Sequence, residues 1–181
     1  MIEFIFAVAL SLQPAAASAP ADAAAIKQFH AEIAKYVAIR RGLRDELSGP
    51  IVNSSAAQLN NVSDSLAAAI RRRRPDAKPG AIFTPAFAEA VKQRIGVAVR
   101  DANLAAALVE IDDEEPIIRQ PSIYLRFPDA AQMATMPPSL LAALPELPKE
   151  LEYRIIGSYL VLRDIDAALV IDYIPAAVPR K

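Results

Sequence analysis

Apolar residues recur at steps of three and four from Ile26 through Phe29, Ile33, Tyr36/Val37 and Leu43 to Leu47. That spacing is one face of a helix, and Asp22 stands where its N-cap belongs. Ser48-Gly49-Pro50 ends the pattern with a Gly past the last turn and then a Pro. Asn53 or Ser54 can cap a second helix whose buried face holds Leu59, Val62, Leu66 and Ile70. Arg71 to Arg74 close it, and Pro75 forbids continuation. Thr84-Pro85 pairs a cap with Pro at the first helical position and opens a third helix through Phe87, Val91, Ile95 and Val99. A shorter helix is expected over Leu104 to Glu110. Three long helices joined by short loops predict antiparallel packing.

The pattern changes after this helical part (22–110). Seven of the fifteen prolines fall between Pro116 and Pro148, and each fixes φ and removes a backbone donor. The connector over 116–148 is therefore expected to be extended and irregular, laid over the body. Ile123 to Phe127 reads as a short strand, and Ser139 to Leu144 as one or two helical turns at most. From Leu151 the period is two. Leu151 to Ile155 alternates, Gly157-Ser158 is a hairpin turn with Gly first, and Tyr159 to Arg163 returns. Asp164 to Asp166 turns again into Ala168–Ile174, so 151–174 reads as a three-stranded antiparallel meander. Such a meander needs cover on at least one face, and the helices supply it. The predicted class is α+β: three long helices and one short one packed on the meander, as a single domain over 20–181.

The N-terminus reads as an address. Phe4 to Leu12 is apolar except for Ser11, Gln13-Pro14 breaks it, and Ala17-Ser18-Ala19 supplies small residues at −3 and −1 of a cleavage site. The run is shorter than the ~20 apolar residues a permanent span requires. Residues 1–19 are thus expected to be a cleaved export signal, and the rest periplasmic or secreted. Against this, Glu3 leaves the n-region without Lys or Arg; the alternative is an apolar helix that stays and packs on the body.

Charge and composition narrow the function. Of 20 basic and 21 acidic residues, removing Glu3 leaves the signs balanced, which disfavours a general nucleic-acid binder. With no cysteine there is neither a disulfide nor a thiolate metal site, and tryptophan is absent as a stacking platform. Asp112-Asp113-Glu114-Glu115 lacks the spacing and turn glycine of a calcium loop and reads as a solvated helix end. Arg71 to Arg74 read as cations on a helix C-terminus, with an anionic surface as the alternative. His30, the single histidine, has no nucleophile motif near any serine and reads as structural or surface. Asp164 and Asp166 flank a turn, where Asp bonds its own backbone. Asp172 lies within a strand, and is expected to face solvent or to pair with Arg154 or Arg163.

The tail carries the strongest pattern: Leu144-Pro145, Leu147-Pro148, Leu151-Glu152-Tyr153-Arg154, Gly157, Leu160-Val161-Leu162, Asp164, and Leu169-Val170 with Asp172. It resembles a C-terminal hairpin of small exported bacterial proteins of unknown function. More distantly it is similar to the tail of periplasmic nickel/cobalt-homeostasis proteins, which pair a Pro-rich approach with a hairpin and a final strand. The likeness covers about the last thirty-five residues and consists of strand and turn chemistry. One His and no Cys depart from a nickel or cobalt ligand set.

Nothing in the sequence names a catalytic, cofactor-binding or metal-binding residue. The leading expectation is a non-enzymatic envelope protein, an interaction or envelope-homeostasis module whose partner is another envelope protein. One alternative is a small periplasmic hydrolase using carboxylates. Another is a peptide- or lipid-binding module with the Pro-rich segment over a groove between helices and sheet.

Overall fold

The structure, a computed structural model, describes residues 19–47, 56–101, 108, 120–126 and 136–179. Its elements are α1 (Ala19–Leu47), α2 (Ala56–Arg73), α3 (Pro85–Ala98), α4 (Pro138–Ala142), β1 (Leu151–Ile156), β2 (Tyr159–Asp164) and β3 (Leu169–Ile174). Helices followed by a β1-β2-β3 antiparallel sheet make the α+β class that the two periodicities predict.

α1 starts three residues before the expected cap. Pro20 falls in its first turn, where a missing N–H costs nothing, and Asp22 lies in that turn rather than at the cap. The predicted stripe is buried: Phe29, Ile33, Tyr36 and Val37 are in the core, with Ile26, Leu43 and Leu47 packed at its edge. The stop at 48–50, the caps at Asn53 and Ser54, and the acidic run 112–115 lie outside the described residues. α2 buries Leu66 and Ile70 as expected, and Val62 is half-exposed. Thr84 caps α3 by accepting from the Phe87 N–H at 3.4 Å, with Pro85 next in line. Of the short helix expected over Leu104 to Glu110, Leu108 alone is described; it is helical and buried.

α1 touches both α2 and α3, and all three helices share one apolar cluster with one face of the sheet. At its centre the rings of Phe29 and Phe87 stack 4.1 Å apart, Phe83 lies 5.5 Å from Phe87, and Tyr153 lies 6.4 Å from Phe83. Offset stacking in a dry centre ties α1, the α2–α3 loop, α3 and β1 to one point. A smaller cluster occupies the other face: Ile156, Val161 and Val170, against Leu125, Tyr159 and Tyr173. The three strand tyrosines divide accordingly, Tyr153 toward the helices and Tyr159 edge-on to Tyr173 on the far side.

The hairpin turn is as expected: Gly157 has φ 54° and Ser158 is not left-handed, the arrangement with Gly first. Of the strand expected over Ile123 to Phe127, the described residues, up to Arg126, make an edge contact. Tyr124 N–H donates to the Val170 carbonyl at 2.8 Å, Val170 N–H donates to the Leu125 carbonyl at 3.0 Å, and Arg126 bridges to Leu169. Tyr124 sits at φ 66°, which breaks the extended run.

Asp172 corrects the sequence reading. In β2–β3, Leu162 opposes Asp172 while Arg163 opposes Val170, so Ile171 is an extra residue in β3. A bulge shifts every later side chain to the other face. Ile171 and Asp172 therefore both point toward the helices. Asp172 is 0% exposed and pairs with neither Arg154 nor Arg163.

Candidate functional site

Among the described residues two aspartates, Asp164 and Asp172, are 0% exposed. Asp172 Oδ2 accepts from the N–H groups of Ile82 (2.7 Å) and Phe83 (2.8 Å), and Oδ1 from those of Gly80 (2.8 Å) and Tyr173 (2.8 Å). Gly80, at φ 84°, turns the α2–α3 loop so that its N–H groups converge on this carboxylate. Asp164 has a similar role at the β2–β3 turn. Oδ1 accepts from the Ala167 N–H at 2.9 Å, the local turn bond expected of it. Oδ2 receives the Tyr36 hydroxyl at 2.7 Å and Arg40 Nε at 2.8 Å. Tyr36 and Arg40 stand one helical turn apart on α1, so a single carboxylate pins that helix to the sheet.

Further cations extend this seam. Arg40 also bonds Asp166, Arg44 reaches Asp166 at 3.4 Å, and Arg41 grips Glu150 at 2.8 and 2.9 Å. Burial pushes the Tyr36 hydroxyl well above its ordinary range, and the Asp164 charge adds to the rise. Burial alone would lower Arg40, but Asp164 and Asp166 outweigh it and hold the guanidinium above its usual value. For Glu150, burial is likewise overcome by the Arg41 bond, leaving the carboxyl below its usual range. Both oxygens of Asp164 and of Asp172 are bonded and both residues are 0% exposed, closed off from a substrate, whereas one Glu150 oxygen is buried without a partner.

The other sequence candidates are dispersed. Arg71 donates to the Tyr124 carbonyl at 3.0 Å, the Arg74 carbonyl accepts from the Tyr124 hydroxyl, and the Arg74 guanidinium lies 5.2 Å over the Tyr36 ring. Arg72 and Arg73 are exposed. The run is thus half fastening for the 120–126 segment and half solvated helix end. His30 is exposed, its ring 5.5 Å from that of Phe29. Among the described residues no three His, Cys, Asp or Glu side chains come close enough to hold a metal ion.

What remains is a groove. It encloses about 510 Å³ between the Pro-rich segment and β1. Met136, Leu141, Leu144, Pro145 and Leu147 form one side, Leu151 and Tyr153 the other, with Glu146, Glu152 and Arg154 at the polar rim. The prolines make this wall by keeping residues 143–148 out of helix and strand. Tyr153 fastens it, its hydroxyl donating to the Pro145 carbonyl at 3.0 Å, and burial drives that hydroxyl far above its ordinary pKa. α4 holds the far end, with Leu140 fully buried and Leu141 44% exposed over the groove.

The groove runs beside the outer edge of β1. Among the described residues β1 pairs with β2 alone, whereas Tyr124, Leu125 and Arg126 take the outer edge of β3 at its Leu169–Val170 end. Among the described residues nothing pairs with the other edge of β1. Its hydrogen-bonding register follows from the two-residue turn. Ile156, Arg154 and Glu152 bond inward to β2, and the Glu150 carbonyl accepts from Ile165 N–H at 3.0 Å in continuation. The backbone groups of Tyr153 and Ile155 therefore point outward.

On the outer face of this edge Glu152 is shared by two guanidinium groups, Arg163 at 2.5 Å across the ladder and Arg154 at 2.6 Å along the strand. Burial opposes ionisation of Glu152, but the two arginines prevail and hold it below its usual range. The Nε atoms of Arg154 and Arg163 are buried without a hydrogen-bond partner.

One alternative read from the sequence set the Pro-rich segment over a groove between helices and sheet; the groove seen here lies along β1. Sequence reasoning missed the Tyr36–Arg40–Asp164 seam. The signal was present: Tyr36, Arg40 and Arg44 continue the apolar stripe of α1 at steps of four, which places their polar ends on the buried side. Comparison with known proteins finds no matching family model, no matching curated protein and no matching solved structure.

Proposed function

We propose that this chain is an exported, non-enzymatic binding module that takes an extended peptide segment into the groove beside β1, adding it to the sheet as a fourth main strand. The single observation that carries the reading is an apolar groove of about 510 Å³ lying along a sheet edge whose backbone groups point outward. Strand addition uses both parts: main-chain hydrogen bonds give affinity, and pockets for alternate side chains give selectivity. An apolar groove with a few polar groups at its rim suits binding. The hydrolase alternative loses support, because the two fully buried carboxylates serve backbone N–H groups and arginine instead of facing a cavity. Export rests on Phe4–Leu12 and Ala17-Ser18-Ala19.

Selection from a displayed random-peptide library against the folded chain tests the binding reading. Enriched sequences should alternate apolar residues and lose affinity when proline replaces a residue whose N–H joins the ladder. Amide shifts on titration should centre on Leu141, Leu147, Tyr153 and Arg154. Leu141→Glu, at an exposed position, should abolish binding without unfolding the chain. No enrichment, or shifts centred elsewhere, would defeat the reading. N-terminal sequencing of protein from its native host should begin at or near Pro20; an intact Met1 would defeat export with cleavage.

A further inference from the structure

On the outer face beside the groove one carboxylate serves two guanidinium groups, and of these charged residues Glu152 and Arg154 line the groove, with Glu146 on its far rim. Arg154 and Arg163 both lean on the single carboxylate of Glu152, and each keeps a buried Nε with no acceptor. Arg163 is only 5% exposed, so water gives it little relief. A buried guanidinium with an unmet donor is costly, and a second carboxylate is the partner that relieves it best. Arg154 is the arginine of this pair that lines the groove.

We propose that the groove's occupant carries an acidic side chain between two apolar ones, and that Arg154 receives the carboxylate. The inference rests on the strand-addition reading and specifies its partner. The register follows from β1 itself. On a strand added at this edge, the residue opposite Arg154 points to the same face as Arg154, Glu152 and Arg163. Its neighbours, opposite Tyr153 and Ile155, point to the apolar side, where Leu144 and Tyr153 line the floor. An apolar–acidic–apolar triplet therefore matches both faces. Glu146, exposed on the far rim, repels an acid displaced toward the Pro-rich wall and so favours this one position.

Three end-blocked hexapeptides of one alternating Val/Thr sequence, differing only in a central Glu, Gln or Lys, form the test, read by fluorescence anisotropy. Blocked ends remove terminal carboxylates as a competing source of charge. The Glu peptide should bind about tenfold tighter than Gln, and Lys weakest. Arg154→Met should bring the Glu/Gln ratio toward one, the ratio being read within the variant so that any general loss of groove binding cancels. Glu152→Gln, which removes the competing carboxylate, should strengthen the Glu peptide further. Equal affinity of the three peptides for the wild-type chain, or a Glu preference that survives Arg154→Met, overturns the proposal and leaves the groove reading standing. Binding by none of them overturns both. Sedimentation of the free chain is run alongside: a dimer that the Glu peptide does not dissociate puts a second β1 in the groove and also overturns the proposal.

Discussion

Replacing Asp172 by Ala removes the acceptor for three N–H groups of the α2–α3 loop. Two of those, on Ile82 and Phe83, belong to residues 2% exposed, while Gly80 is half-buried and can turn to water. A buried donor left without a partner costs about 1–3 kcal/mol, toward the upper end where the lost acceptor was charged. The lost carboxylate returns part of its own desolvation penalty, since a buried charge is expensive even when bonded. The net loss expected for Asp172→Ala is about 3–5 kcal/mol, a large share of the ~5–15 kcal/mol that holds a domain of this kind together. With a urea slope of about 2 kcal/mol per molar, the unfolding midpoint should fall by about 2 M. Asp172→Asn keeps one carbonyl oxygen for Ile82 and Phe83 but turns an amide toward the Gly80 and Tyr173 donors, so its loss should be about 1–2 kcal/mol. Hydrogen exchange supplies the local check: the Ile82 and Phe83 amides should stay protected in Asp172→Asn, and Gly80 should exchange faster. A loss below about 1 kcal/mol for Asp172→Ala, or an Asn variant as unstable as the Ala one, would refute the account of this carboxylate as the clamp on the loop.

Arg40→Leu strands the Asp164 carboxylate without its cation and should cost about 3–5 kcal/mol, with Arg40→Leu/Asp164→Asn recovering part of it; a double variant no better than the single would count against the seam. The hydroxyls of Tyr36, Tyr124 and Tyr153 all ionise later in the folded chain than their ordinary value, chiefly through burial. Their stabilising share is full below about pH 10 and drains as pH rises beyond it, so tyrosinate absorbance should lag in the native chain relative to the urea-unfolded one; superimposed curves would defeat the expectation. Glu150 and Glu152 behave oppositely. Their folded values lie below the ordinary range, so what they contribute is complete above about pH 5 and is lost as pH falls below about 4, measurable as a declining melting temperature. Phe87→Ala should cost about 3–5 kcal/mol, because its ring is fully buried against Phe29 and Phe83 and the neighbouring backbone cannot close the hole.

The groove could be half-read in advance. Its wall follows from proline chemistry, a local property, since each ring forbids the helix and the ladder to its own residue. Its position along β1 is not local. It depends on β1 lying at the sheet edge, and alternation within Leu151–Ile156 is the same for an edge strand as for a central one. The surplus of guanidinium on Glu152 was equally hidden, because Arg163 meets Glu152 only through the β1–β2 register.

Residues acting on near neighbours are what this sequence determined by itself. The 3.6-residue stripe of α1 from Ile26 to Leu47, the Thr84-Pro85 start of α3 and the Gly157 turn are each decided within a few residues, by side-chain periodicity, a missing N–H or a permitted positive φ. The two buried acids were decided by tertiary structure alone. Asp172 belongs on the solvent face by strict alternation; one extra residue, Ile171, turned it inward, and only the N–H groups of a loop ninety residues earlier made that burial tolerable. Asp164 was legible as a turn residue through its bond to Ala167, yet its second oxygen belongs to Tyr36 and Arg40, on a helix more than a hundred residues away. A carboxylate's local bond is set by the backbone beside it, whereas its charge is satisfied by whatever the packed core brings within 3 Å.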